Sequence, residues 1–224
     1  MRKTDPLIDI FKKNKERIDI LGKAWDIFYF EGRAPDVGKR RENFIVEMLR
    51  KELSHFIKSV NQALDTERNW DIEITFQDDS TKRYSIKTTE GFSNVKIAWD
   101  GFPTKDRILT FNFQADIFYI ARNKDKIILC VIDLEKLRDL QREVEKNESK
   151  LGEYYSLPNS NTNPRGFGLE SSTVKRLIEL SKEEENYLEI DYKPFPVELI
   201  LKAKEEYFKG WYDLIKELIE KYQQ

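Results

Sequence analysis

"DIEITFQDDSTKRYSIKTT", residues 71–89, contains the change of period that decides the fold. Apolar and polar residues alternate over its first six positions and again near its end, which predicts two strands that each bury one face. The polar run between them predicts a turn. Because successive side chains on a strand point to opposite faces, we expect Asp71, Ser85 and Lys87 on one side of a hairpin.

The hairpin lies between segments with other patterns. Upstream, the apolar residues from Arg40 to about Val60 recur at intervals of three and four, which predicts one helix. Downstream, "DIFYIARN" (116–123) and "KIILCVID" (126–133) predict two more strands joined by a tight turn, and a charged helix follows over about 134–148. These elements indicate an α/β fold with a small mixed sheet, of the α+β kind, at its centre.

Both ends of the chain carry helical patterns. One or two amphipathic helices are predicted over 5–30. Towards the other end, the sequence predicts a short helix, a possible strand "YLEIDY" (187–192) and a long amphipathic helix over about 196–222. Because no internal repeat or low-complexity linker interrupts the chain, we predict a single domain over 1–224.

The distribution of charge fits a nucleic-acid partner better than the net charge does. The 224 residues carry a net charge of -2. However, residues 33–58 hold seven basic and four acidic side chains, residues 81–107 hold six and three, and residues 179–224 hold seven and twelve. Since binding depends on where charge lies rather than on its total, an acidic end masks two basic segments that flank the hairpin.

The residue inventory excludes several kinds of site. His55 is the only histidine and lies within a helical pattern, which counts against Ser-His-Asp catalysis, HNH-type nucleases and Cys/His zinc sites. Cys130, the only cysteine, lies in an apolar run and is expected in the core. No phosphate-binding glycine motif occurs, and no run approaches the roughly 20 apolar residues of a membrane span, so we expect a cytoplasmic protein.

"DIE" (71–73) followed by "SIK" (85–87), with a helix before and two strands after, resembles the PD-(D/E)XK nuclease superfamily, which contains most type II restriction endonucleases. The resemblance covers about 38–140. It implies a restriction-endonuclease-like core with helical additions at 1–35 and 170–224. It also implies a Mg2+-dependent, sequence-specific endonuclease of double-stranded DNA that leaves 5'-phosphate and 3'-hydroxyl ends.

The resemblance assigns roles to residues of the hairpin. In this superfamily an acid on the second core strand and an acid-x-Lys on the third converge, and a Glu from the preceding helix often joins them. Asp71 and Lys87 are therefore implied to be catalytic, with Mg2+ held by Asp71, the Ile86 carbonyl and a further acid. Mg2+ takes one or two carboxylates plus waters, and a nearby lysine can polarise the attacking water.

Two residues depart from the superfamily pattern. Trp70 precedes the acid in place of a proline that is often absent. Ser85 stands where an Asp or Glu is usual, and a neutral hydroxyl is a poor metal ligand. The acids that would compensate for Ser85 are, in order of preference, Glu42, Glu73 and Glu47. If none of them reaches the site, it holds one ion or is inactive.

Two of these residues also have simpler interpretations. Lys87, taken alone, is an ordinary charge on the solvated face of a strand. Met48, four residues after Phe44, is most simply a core residue. The alternative is that Met48 wedges between base pairs from the minor groove. A similarity to the ThaI family of CGCG cutters, in chain length and in this methionine, is the basis of that alternative.

Two long aperiodic segments, 91–107 and 157–168, are interpreted as functional loops. Arginine, lysine and asparagine side chains suit contacts to phosphates and base edges, although Lys96 and Arg165 taken singly are ordinary solvent-facing charges. The candidate DNA-binding residues of the two loops are Asn94, Lys96, Lys105, Asn163 and Arg165.

Double-stranded DNA is the expected partner. A palindromic target cut by one active site per chain calls for a two-fold homodimer. A restriction enzyme also implies a cognate DNA methyltransferase as a genetic partner. Two alternatives stay open: a repair or recombination nuclease of the same fold, and a noncatalytic nucleic-acid-binding protein. Ser85 favours the second, whereas Asp71, Glu73 and Lys87 count against it.

Overall fold

The computed structural model describes residues 4–29, 37–64, 69–98, 104–157 and 166–202, together with 205–206 and 209–210. Within them the chain forms a six-stranded mixed sheet, a smaller three-stranded sheet and helices. The predicted α/β class is confirmed.

Helices and strands alternate irregularly along the chain. The helices are α1 (Pro6–Lys13), α2 (Lys15–Ile18), α3 (Ile20–Tyr29), α4 (Val37–Glu52), α5 (Lys105–Leu109), α6 (Leu134–Lys146), α7 (Leu151–Tyr154) and α8 (Ser171–Glu183). A 3-10 turn lies at Glu148–Lys150, and residues 197–202 are also helical. The strands are β1 (Ile57–Gln62), β2 (Ile72–Phe76), β3 (Thr81–Glu90), β4 (Val95–Ala98), β5 (Asp116–Asn123), β6 (Lys126–Ile132), β7 (Tyr155–Ser156), β8 (Phe167–Leu169) and β9 (Tyr187–Asp191).

The six-stranded sheet has the order β1-β2-β3-β5-β6-β9. Its neighbours pair antiparallel except for β3 and β5, which are parallel. A parallel pair needs a crossover connection, and the chain between these strands provides one that contains β4 and α5. The hairpin strand β3 therefore lies inside the sheet, between β2 and β5.

Each face of the large sheet is covered by its own apolar core. Helices α1, α3 and α4 contribute to the core on one face, with Ile72, Ile74, Tyr84 and Ile86 from the hairpin. Helices α6 and α8 contribute to the core on the other face, together with the second sheet. The polar side chains of β2 and β3 thus point to the face that the second core covers in part.

The second sheet joins the two segments predicted to be loops. Its order is β4-β8-β7, and β4 pairs antiparallel with β8 through the registers Val95↔Leu169 and Lys96↔Gly168. A Cβ at Gly168 would lie 2.5 Å from the Val95 carbonyl oxygen, so this close pairing requires glycine. The aperiodic sequence therefore contains short strands, and the segments 91–107 and 157–168 meet in space.

The predicted helix over residues 40 to 60 was wrong in its second half. Helix α4 ends at Glu52, and β1 begins at Ile57. The register between β1 and β2 shifts between Ile57 and Ser59, which marks a β-bulge. The bulge lets Ile57 and Val60 both face the core, and their spacing of three imitates a helical period.

The remaining predicted elements are present where the structure describes the chain. The hairpin, the strands β5, β6 and β9, and the helix α6 agree with prediction to within a few residues. The helical pattern over 5–30 forms three helices. Most of the predicted helix beyond residue 202 lies outside the described residues. No helix in the described part of the chain is long and apolar enough to cross a membrane.

Candidate functional site

Asp71 lies where the β2–β3 ladder ends. Its backbone N–H donates to the Tyr84 carbonyl at 2.9 Å, and β2 begins at the next residue. Beyond this point β3 is hydrogen-bonded to the Asp71 carboxylate instead of to the backbone of β2. Its Oδ2 accepts the Ile86 backbone N–H at 2.6 Å and the Ser85 hydroxyl at 3.0 Å. The acid is therefore held by two donors from β3.

Lys87 completes this cluster from the same face of β3 as Ser85. Its Nζ lies 3.8 Å from Asp71 Oδ2. The two side chains are only 18% and 24% exposed, so their attraction is screened less than that of a surface pair. The structure thus brings Asp71, Ser85 and Lys87 together, as the alternation of the hairpin predicts.

The remaining donor atoms of the cluster fit a hard cation. Among the residues that the structure describes, Asp71 Oδ1 has no hydrogen-bond partner. The N–H and C=O of one strand residue point to the same side, so the Ile86 carbonyl faces the side on which Asp71 lies. One carboxylate oxygen and one carbonyl, completed by waters, is a ligand set that Mg2+ accepts.

Among the described residues, Asp71 does not form a metal-binding group with two or more of the acids predicted to compensate for Ser85. No group of three or more His, Cys, Asp or Glu residues in the described part of the chain could hold a metal ion. Glu73 lies two residues from Asp71 on the same face, about 7 Å further along β2, and accepts Arg83 Nε at 2.8 Å. Glu42 lies on α4, with its carboxylate 3.8 Å from Lys39 Nζ, and Glu47 pairs with Arg50.

Met48 lies in the core between α4 and the sheet. Its side chain belongs to the first apolar core and only 4% of its surface is exposed. A residue that wedges between base pairs has to project into the groove. The burial of Met48 therefore agrees with a core residue and not with a wedge between base pairs.

The predicted DNA-binding residues near the second sheet have partners within the protein. Asn94 accepts the Ser171 backbone N–H at 2.8 Å and donates to Ser156 Oγ at 3.1 Å, so it links the segments around the second sheet. Lys105 Nζ lies 2.9 Å from a Glu148 carboxylate oxygen. Lys96 is half-buried, and this burial lowers the pKa of its ammonium group. Asn163 and Arg165 lie outside the described residues.

Arg41 ties the start of α4 to the strand that carries Lys87. Its Nη1 donates to Thr88 Oγ1 at 3.1 Å, and the guanidinium lies 3.7 Å from the centre of the Tyr29 ring. Burial lowers the pKa of Arg41. The sequence pointed to this arginine only as part of a basic segment, because its partners are distant in sequence.

A cavity opens beside Lys87 and Ser85, with the amides of Asn69 and Gln114 in its wall. Apolar side chains from the crossover, the sheet and α6 form the rest of its lining: Ile97, Phe111, Phe113, Ala115, Ile117 and Leu137. Neither amide belongs to a motif, so sequence patterns offered no reason to select them. The cavity, of about 20 Å3, leaves room for a water molecule beside the lysine and serine side chains.

The cluster combines the groups that phosphodiester hydrolysis needs. A carboxylate and a carbonyl can hold a cation, and a lysine beside them can orient water and stabilise developing negative charge. The sequence matches no protein-family model and no curated protein. Function is therefore inferred from the site itself.

Proposed function

We propose that the chain is a Mg2+-dependent, sequence-specific endonuclease that hydrolyses phosphodiesters of double-stranded DNA in the manner of a type II restriction enzyme. One observation carries the proposal. Asp71 is fixed through Oδ2 by Ser85 and Ile86, keeps Oδ1 unpaired among the described residues, and lies 3.8 Å from the Lys87 ammonium.

In this proposal each group of the cluster has one role. Asp71 Oδ1 and the Ile86 carbonyl would hold Mg2+, which when bound withdraws charge from the scissile phosphate and acidifies a water. Lys87 orients the attacking water and stabilises the charge that develops on phosphate oxygens. Ser85 keeps the Asp71 carboxylate in place by donating to Oδ2.

The order of elements also supports the proposal. Helix α4 leads into the antiparallel run β1-β2-β3, and the crossover through α5 returns to β5, parallel to β3. The helix before the hairpin and the two strands after it, β5 and β6, are the order on which the resemblance to the restriction-endonuclease-like core rests. A palindromic target, a two-fold homodimer and a companion DNA methyltransferase belong to the same proposal.

A noncatalytic nucleic-acid-binding protein is the second candidate. Two observations favour it: Ser85 is neutral, and no group of three acids forms among the described residues. Such a protein would keep the basic segments and bind DNA without cutting it. A repair or recombination nuclease with the same site would cut according to DNA structure rather than sequence.

The test is cleavage of plasmid and genomic DNA by the purified chain, with Mg2+, with Ca2+ and with EDTA. We expect discrete fragments with Mg2+ only, and none from the Asp71→Asn variant. A smear would indicate a nonspecific nuclease. Binding without any cutting, over several genomic DNAs and temperatures, would favour the noncatalytic candidate.

A further inference from the structure

Arg83 lies on the same face of β3 as Ser85 and Lys87, because the three residues alternate along the strand. Its side chain is held at two points. Nε donates to Glu73 Oε2 at 2.8 Å, and the guanidinium lies 4.9 Å from the centre of the Trp70 ring. Trp70 directly precedes Asp71, so this arginine is fastened to the chain that carries the candidate metal ligand.

The outer edge of this guanidinium has no partner among the described residues. Glu73 takes only Nε, and both Nη groups remain. The side chain is 46% exposed. An arginine presents its N–H groups in a planar fork that matches the oxygens of a phosphate in a bidentate contact. Because Glu73 and Trp70 already order the side chain, little entropy remains to be lost on binding.

The neighbouring lysine cannot serve the same purpose. Lys82 Nζ already contacts the buried carboxylates of Asp5 and Asp116. Arg83, by contrast, donates to a carboxylate only through Nε. Its two Nη groups contact no carboxylate of the described residues.

Two cavities that share Gln114, together called the groove, lie between Arg83 and the candidate site. Glu73, Arg83 and Gln114 line one cavity, and Ser85, Lys87 and Gln114 line the next. Gln114 is exposed, and its amide has no partner in the described part of the chain. Lys87 lies four positions after Arg83 on β3, about 13 Å away. One strand of a DNA duplex presents several phosphates over that length.

We infer that this groove holds the DNA strand being cut, with Arg83 gripping a backbone phosphate beside the scissile one. The inference rests on the proposed function, because it takes the phosphate at Lys87 to be the one hydrolysed. Gln114, between the two positions, contacts the intervening sugar or base edge. Glu73, predicted as a compensating metal ligand, acts here as the residue that positions Arg83.

The test is binding of a fluorescent mixed-sequence DNA duplex, without divalent metal, over a series of salt concentrations. For Arg83→Gln we expect the slope of log K against log salt to fall by about one, since one phosphate contact is lost. Arg83→Lys keeps the charge and the slope but binds several-fold more weakly, because the fork is lost. Arg142→Gln is the matched control: Arg142 is also half-exposed and paired with a carboxylate, but lies on α6 against another cavity.

Each outcome has a definite meaning. The inference is overturned if the salt slope of Arg83→Gln equals that of wild type, or if Arg142→Gln lowers the slope by the same amount. It is also overturned if the wild-type chain binds no DNA. Thermal melting of the variants shows that they are folded. Cleavage is measured separately: a chain that binds through Arg83 and never cuts overturns the proposed function, and of the inference only the contact between Arg83 and a backbone phosphate then stands. A chain that cuts, with an unchanged Arg83→Gln slope, overturns the inference alone.

Discussion

Asp71 Oδ2 accepts the backbone N–H of Ile86 at 2.6 Å, so the acid on one strand is tied to the residue that precedes Lys87 on the next. The same oxygen accepts the Ser85 hydroxyl. Asp71 therefore links the two strands through Oδ2 and, in the proposed function, binds the cation through Oδ1. Two substitutions separate these roles.

Asp71→Asn keeps an acceptor for Ile86 and loses the charge that a cation needs. We expect cleavage to fall at least about a hundredfold, while DNA binding stays within about tenfold of wild type. Asp71→Ala also leaves the Ile86 N–H and the Ser85 hydroxyl without their partner, which costs about 1–3 kcal/mol of unfolding free energy. Single-turnover cleavage, anisotropy and urea unfolding measure the three quantities. Turnover of Asp71→Asn within about tenfold of wild type would remove Asp71 from the reaction.

Lys87→Ala removes the cation that stabilises developing charge. We expect loss of cleavage with binding retained within about tenfold, because the lysine acts on the scissile phosphate rather than on base identity. Lys58→Ala is the control, since Lys58 is an exposed lysine of β1 paired with Asp79. Equal losses of cleavage in the two variants would mean that general charge, not the position of Lys87, is responsible.

Ser85→Asp restores the acid that the superfamily pattern has at this position. The new carboxylate would lie beside Asp71, since the serine hydroxyl is 3.0 Å from Asp71 Oδ2. Two adjacent carboxylates repel each other, so we expect a lower melting temperature in EDTA. Mg2+ should then raise the melting temperature more than it does in wild type.

Thr81→Asp is the control for added charge, because Thr81 opens the same strand four residues before Ser85. It should show no metal-dependent gain in melting temperature. If Ser85→Asp responds to Mg2+ no more than this control, the cluster does not bind the ion.

The sequence predicted the hairpin and its polar face because a strand with one buried side has a period of two. That period places Asp71, Ser85 and Lys87 together without any knowledge of the rest of the fold. It failed for β1, because the bulge between Ile57 and Ser59 gives the strand a spacing of three. A helix and a bulged strand share that spacing, so pattern alone does not separate them.

The groove could not be predicted for a different reason. Its parts are brought together by contacts between distant residues: Gln114 reaches it from the crossover, and β4 meets β8 through backbone pairing that leaves no trace in side-chain period. Arg83 looks like any charge on the solvated face of a strand until Glu73 and Trp70 are seen to hold it.

A buried ion network that includes Lys82 and Tyr84 of the hairpin leads us to expect that the fold loses stability at alkaline pH. Lys82 Nζ contacts both Asp5 and Asp116, whose side chains are almost wholly buried. Burial alone would lower the pKa of Lys82, but the charges of Asp5 and Asp116 raise it above its usual value. Tyr84 donates its hydroxyl to Asp5 Oδ1 at 3.0 Å, and burial, followed by the Asp5 charge, raises its pKa well above 10.

Lys82 and Tyr84 hold their protons more tightly when folded than when unfolded. Their contribution to stability is therefore complete below about pH 10 and is lost as the pH rises through the folded pKa values, by up to about 1.4 kcal/mol per pH unit for each group.

We expect the unfolding free energy of Lys82→Met to be about 2 kcal/mol lower than that of wild type near neutral pH. This is less than the cost of breaking a fully buried pair, because Lys82 is 37% exposed. The Lys82→Met/Tyr84→Phe variant should then decline less steeply above pH 10 than wild type. Part of the decline will remain, since burial also raises the pKa of Tyr119 to about 12. Urea unfolding of both proteins over about pH 8 to 11 tests this, and parallel curves would show that the network takes no part in the alkaline loss.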